Sequence, residues 1–171
     1  VRHLLNLSEK NEPINNEIYV FLNLYCDHPS IRLLLSEKCL YFKDPIGNGT
    51  YFSPDQVFWD QHFFGEYRFR LPTDYARFKN LFDKIGVKDK PDVQDAIKVL
   101  LEISRKFGES NRRLSEGDEE EDILILCWKM ISEALENEQI HAEEIKKQLA
   151  DQKTIPDARK ILTQPEQMFF E

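Results

Sequence analysis

Two arginines set two residues apart, Arg68 and Arg70, with Arg77 a few residues further on, form the cationic set best placed to do chemistry in this chain. The run Tyr67-Arg68-Phe69-Arg70-Leu71 alternates with period two. As a strand it would turn both guanidinium groups to one face and the aromatic rings to the other. Guanidinium groups bind phosphate or carboxylate through their forked N–H donors, and aromatics beside them are the kind of platform on which single-stranded bases stack. The structural alternative is that Tyr67 and Phe69 fill the core while the arginines pair with Asp55, Asp60 or Glu66.

The sequence carries no motif of another chemistry. Cys26, Cys39 and Cys127 are odd in number and widely spaced, without the close pairs of a zinc site. Each lies in or beside an apolar run, so they read as buried thiols in a reducing compartment. His3, His28, His62 and His141 are scattered and read as surface or capping residues. The six glycines form no dinucleotide fingerprint, and no Lys-Ser or Lys-Thr pair follows Gly47 and Gly49 to make a phosphate loop. No HExxH or GxSxG motif is present. With 31 acids, any two could be named a general acid and base, so such pairs carry no information. The acidic run from Glu116 to Asp122 lacks the spacing of a calcium loop and reads as a solvated helix start, favoured by the helix dipole. The expectation is therefore no catalytic residue, no cofactor and no metal. A net charge of −8 opposes duplex binding while leaving room for a local basic face.

The elements that must position these residues are mostly helical. Val1–Leu7 reads as the tail of a helix and Asn11–Asn16 as a linker. Glu17–Tyr25 is apolar nearly all round, which predicts a buried helix. Asp27-His28-Pro29-Ser30 breaks it and starts a short helix with Ile31, Leu34 and Leu35 inward. Cys39–Phe42 and Thr50–Phe52, separated by turn residues, predict a hairpin, followed by a short extended piece at Val57–Trp59. A helix over 73–85 with Thr73 as N-cap and Gly86 after its end comes next, then one from Pro91 to Phe107. Further helices are expected over 121–136 and 141–150, and a second small hairpin at Thr154-Ile155 and Ile161-Leu162. The densest aromatic run lies between Ser53 and Leu71, where Trp59, Phe63 and Phe64 are the candidate anchors for a partner if exposed.

The chain carries an internal echo. Pro54-Asp55-Gln56-Val57-Phe58-Trp59-Asp60 reads against Pro165-Glu166-Gln167-Met168-Phe169-Phe170-Glu171, and two helices and a strand pair precede each. A unit so small cannot cover its own apolar surface, so repeated copies would lean on intervening helices. The organisation expected is a first copy over 1–72, a helical connector over 73–110 and a truncated second copy over 111–171, the alternative being one compact domain. The fold class is helix-dominated α+β, with five or six helices and two small hairpins.

Residues 54–104 also resemble segments of very large sacsin-like proteins, in which a histidine-kinase/Hsp90-type ATPase module is followed by long repetitive regions. The similar pieces are the Pro-x-x-Val-Phe-Trp hairpin end, Tyr-Arg-Phe-Arg-Leu-Pro, the Phe82–Gly86-Val87 turn, and the helix start at Pro91, Asp92 and Asp95. The resemblance implies a scaffold segment following the ATPase, in a chaperone-like or defence-related assembly. The family's nucleotide site does not carry over, because neither its Asn-bearing helix nor its Asp-x-Gly-x-Gly loop is present.

Together these observations predict a non-catalytic scaffold or protein-interaction segment of a large multidomain protein. Its partner would be another domain of that protein or a separate protein. The alternative is a nucleic-acid-associated module using Arg68, Arg70 and Arg77. No apolar run approaches the roughly 18 residues that span a bilayer, and the opening VRHLLNLSEK lacks a signal peptide's apolar core. A cytoplasmic protein without membrane contact is expected, and both ends read as cut from something longer.

Overall fold

Helical periodicity dominates the fold in a computed structural model, which describes residues 1–35, 37–43, 47–60, 64–108, 114, 118–157 and 160–165. The result is a helix-dominated α+β architecture with small two-stranded sheets. The chain divides into two compact units, Val1–His62 with Arg68–Lys90 and Phe63–Tyr67 with Pro91–Glu171. The expected connector 73–110 is thus shared between them.

In the first unit, α1 (Arg2–Glu9) and α2 (Glu17–Leu24) lead into a 3-10 turn over Pro29–Leu34. The turn starts as its sequence asks. Pro29 supplies a preset φ at the first position, and His28 caps it by accepting the Ser30 N–H at 3.2 Å on Nδ1. The hairpin expected from CLYF and TYF forms as β1 (Leu40–Lys43) and β2 (Gly49–Phe52), antiparallel with Leu40 opposite Phe52. Gly47, in the connection, has φ +92°, a conformation that costs glycine little. After a capped 3-10 turn at Pro54–Gln56, β3 (Val57–Phe58) pairs in parallel with β4 (Phe69–Arg70).

The helix expected over 73–85 is divided. Thr73–Phe78 is 3-10 and follows Pro72 in the N-cap position, and only α3 (Lys79–Lys84) is α-helical. Its end is as predicted. Gly86, at φ +98°, donates to the Asp83 carbonyl while Val87 donates to that of Phe82, the paired bonds of a Schellman stop. The core is aromatic. Tyr19, Tyr75, Phe78 and Phe82 meet with ring centroids 5.4–6.0 Å apart, and Phe42 stacks on Phe52 at 4.4 Å.

The second unit is built on two helices, α4 (Val93–Ile103) and α5 (Glu119–Glu136). Asp92 is the N-cap of α4, so the helix starts at Val93, two residues later than the expected Pro91. The Asp92 carboxylate accepts the Gln94 and Asp95 N–H groups, and Asp95 reciprocates on the Asp92 N–H. Ile97, Leu100 and Ile103 share their core with Ile123, Cys127 and Ile131. A π-helical turn, Ser104–Gly108, ends α4. There Lys106 Nζ lies 2.5 Å from Glu66 and 2.8 Å from Glu120. α6 (Ala142–Leu149) and the antiparallel pair β5 (Ile155–Pro156) and β6 (Leu162–Thr163) complete the unit, the second small hairpin falling one residue later than read. Of the echo, residues 166–171 lie outside the described residues.

All three cysteines are free, with Cys39 and Cys127 buried. Cys26, expected to be buried, is instead partly exposed, because it follows the end of α2. Burial pushes the Cys39 thiol up to about 12, with Glu37 adding to the effect. A disulfide-exchange reagent should therefore titrate one thiol quickly in the native chain and two more only in denaturant. More than one fast equivalent would contradict this packing.

Candidate interaction surface

The rotation of α2 about its axis is fixed by polar atoms on its inner side. The Tyr19 hydroxyl donates to the Cys39 carbonyl and accepts the Tyr41 N–H, both at 2.8 Å, which ties the helix to the start of β1. One helical turn on, the Asn23 side-chain oxygen accepts the Leu81 N–H at 2.9 Å, satisfying a donor in the first turn of α3. Tyr19 and Leu22 are the buried apolar positions of α2, at 1% and 3% exposure. Positions 19, 22 and 23 follow helical spacing and define the inward stripe.

The opposite stripe must then face water, and it is apolar. Val20, Phe21, Leu24 and Tyr25 are 45%, 60%, 74% and 55% exposed. This corrects the expectation of a helix buried all round. α2 turns its hydrogen-bonding atoms in and its bulk out, the reverse of ordinary surface amphipathicity. Phe21 and Tyr25, one turn apart, hold their ring centroids 4.8 Å from each other. Leu33 and Leu35, in and just after the Pro29–Leu34 turn, are also large, apolar and about half exposed. Between α2, that turn and the start of α1 lies a groove of about 450 Å³, lined by Arg2, Phe21, Tyr25, His28, Ile31 and Leu33 among others. An apolar concavity with a few polar groups at its edge is the usual form of a docking site.

No protein-family model, curated protein or solved structure matches the chain. Its chemistry has to be read from its own residues.

Trp59 is partly buried, and its indole N–H donates to Asp83 at 3.0 Å. Lys79, 4.8 Å over the Trp59 ring, also pairs with Asp83 and Asp89. Phe64 is fully buried in the core of the second unit, and Phe63 lies outside the described residues. Neither Trp59 nor Phe64 is a free apolar anchor. Arg68 is 5% exposed while Arg70 is exposed, so the expected two-arginine face does not form. The reason is local: Tyr67 ends a 3-10 turn, Gly65–Tyr67, and extended pairing begins only at Phe69. Arg77 is exposed and lies 4.7 Å over the Phe78 ring. Among the described residues no cluster of His, Cys, Asp and Glu could hold a metal ion, and no helix is long and apolar enough to cross a membrane.

The apolar stripe of α2 was missed because hydrophobicity alone does not say which side of an all-apolar helix is covered. A signal was present. Asn23 is the single polar residue between Ile18 and Tyr25 apart from the Tyr19 hydroxyl. A lone polar group in such a helix needs a buried partner, which would orient it inward.

Proposed function

We propose that this chain is a non-catalytic protein-interaction segment of a large, multidomain, sacsin-like protein, and that it docks its partner on the apolar face of α2. The observation that carries this reading is the inverted orientation of α2. Its polar atoms are engaged inside by β1 and α3, while Val20, Phe21, Leu24 and Tyr25 face water. Such a stripe is disfavoured on a surface that stays wet. The likeness of residues 54–104 to sacsin-like segments supports the scaffold setting and a partner that is another domain or a separate protein. The arginine set gives less support to nucleic-acid binding, because Arg68 is buried and leaves Arg70 and Arg77 as its exposed members.

The test is a pool of amphipathic helical peptides of acidic, neutral and basic character, offered to the wild-type chain and to Phe21→Ser/Leu24→Gln. Both positions are more than half exposed, so the variant should keep its circular dichroism and thermal midpoint. Peptides retained by the wild type should be lost by the variant. Equal retention by both, or none by either, would remove this face from the function.

A further inference from the structure

The charge around the α2 groove is opposite to that of the chain as a whole. The chain has 31 acids against 23 bases, yet no carboxylate lines the groove, whereas Arg2 does. A second cation, Arg32, is exposed on the Pro29–Leu34 turn and lines an adjoining cavity with Asp27 and Lys84, which shares His28 and Ile31 with the groove. Among the described residues neither Arg2 nor Arg32 has an ion pair. The acid of that adjoining cavity, Asp27, pairs with Lys84 at 2.7 Å. An apolar trough with Arg2 on its lining thus borders a cavity that holds Arg32, where Asp27 is engaged by Lys84.

Resting on the interaction reading above, we infer that the occupant of this groove is an acidic amphipathic α-helix of a partner protein. Its apolar stripe packs on Phe21, Tyr25 and Leu33 over a floor of Leu22 and Ile31, and its carboxylates meet Arg2 and Arg32. Helix-in-groove docking reads anchors at positions i, i+3, i+4 and i+7. The groove is bounded by helical segments on three sides, α1, α2 and the 3-10 turn. The Phe21–Tyr25 ring pair pre-organises one wall, which lowers the ordering cost of binding. Guanidinium groups match carboxylates bidentately, so the flanking charges set the sign of the partner more than the strength of the complex.

The experiment titrates the full chain against two labelled helical peptides with the same apolar spacing, one carrying Glu and the other Lys on its polar face. Anisotropy should show the acidic peptide binding about tenfold or more tightly than the basic one, with the difference shrinking as salt screens it. Arg2→Glu/Arg32→Glu should reverse the preference, while Phe21→Ser/Leu24→Gln should abolish binding of both. Equal binding of the two peptides through this face would overturn the acidic partner and leave the interaction reading standing. Failure of both peptides to bind would overturn the two together. Tighter binding to phosphatidylserine vesicles than to the acidic peptide, or self-association through this face that the peptide does not displace, would also overturn the inference.

Discussion

Phe82→Ala should lower stability by about 3–5 kcal/mol, the usual range for deleting a buried phenyl ring. Phe82 has no exposed surface and sits where the aromatic core converges, with ring centroids 5.4 Å from Tyr19, 5.9 Å from Tyr75 and Phe78, and 6.1 Å from Trp59. Aromatic pairs add about 0.5–1.5 kcal/mol each beyond area burial, and four are lost together. The cavity also opens under α3, whose closing bonds at Gly86 and Val87 hold little without packing above them. Urea unfolding of the wild type, Phe82→Ala and Phe21→Ala measures this. Phe21, 60% exposed, should cost within about 0.5 kcal/mol. Similar losses for the two variants would show that the core is not centred where these rings meet.

Tyr19→Phe should cost about 2–4 kcal/mol, although it removes one oxygen and leaves the ring in place. That hydroxyl serves two backbone groups, the Cys39 carbonyl and the Tyr41 N–H. Each becomes an unpaired buried group, at about 1–3 kcal/mol apiece. The same phenol makes the fold sensitive to alkali. Burial raises Tyr19 well above its ordinary value of 10.0, pushes Tyr51 up to about 12, and raises Tyr75. An acid whose pKa is raised by folding keeps its proton when the unfolded chain has lost it. The contribution of Tyr51 is therefore fully present below pH 10 and disappears as pH rises through about 12, and that of Tyr19 is likewise lost only in alkali. Phenolate absorbance for these tyrosines should rise together with loss of the circular dichroism signal in that window. Early ionisation of all six tyrosines with the fold intact would contradict the arrangement.

Where local chemistry decides structure, the sequence was readable. The turn glycine Gly47, the Gly86 stop, the Pro29 helix start and the two hairpins needed only the residues that form them. The helices α4 and α5 followed from 3.6-residue spacing, because both have a polar side to contrast with the apolar one. What failed was the assignment of faces that tertiary partners choose. α2 is apolar on every side, so only its bonds to Cys39, Tyr41 and Leu81, all distant in sequence, determine which side stays outside. Arg68 was misplaced for a related reason. The period-two pattern of Tyr67–Leu71 is real, but the chain is still in a 3-10 turn at Tyr67, and that shifts the phase. The aromatic run that the sequence marks as the interaction surface is used by the fold largely as packing.

The short excursion that carries Phe64 and Tyr67 into the second unit, before the chain returns to the first at Arg68, bears on how this stretch of protein could be dissected or inherited. A truncation beginning at Pro91 would strip two rings from the core of the piece it tries to isolate. A truncation ending at Lys90 would leave those same rings without their own core. Recombination at either junction would therefore deliver an incomplete module, and duplication or shuffling of this region has to move both units as a single cassette.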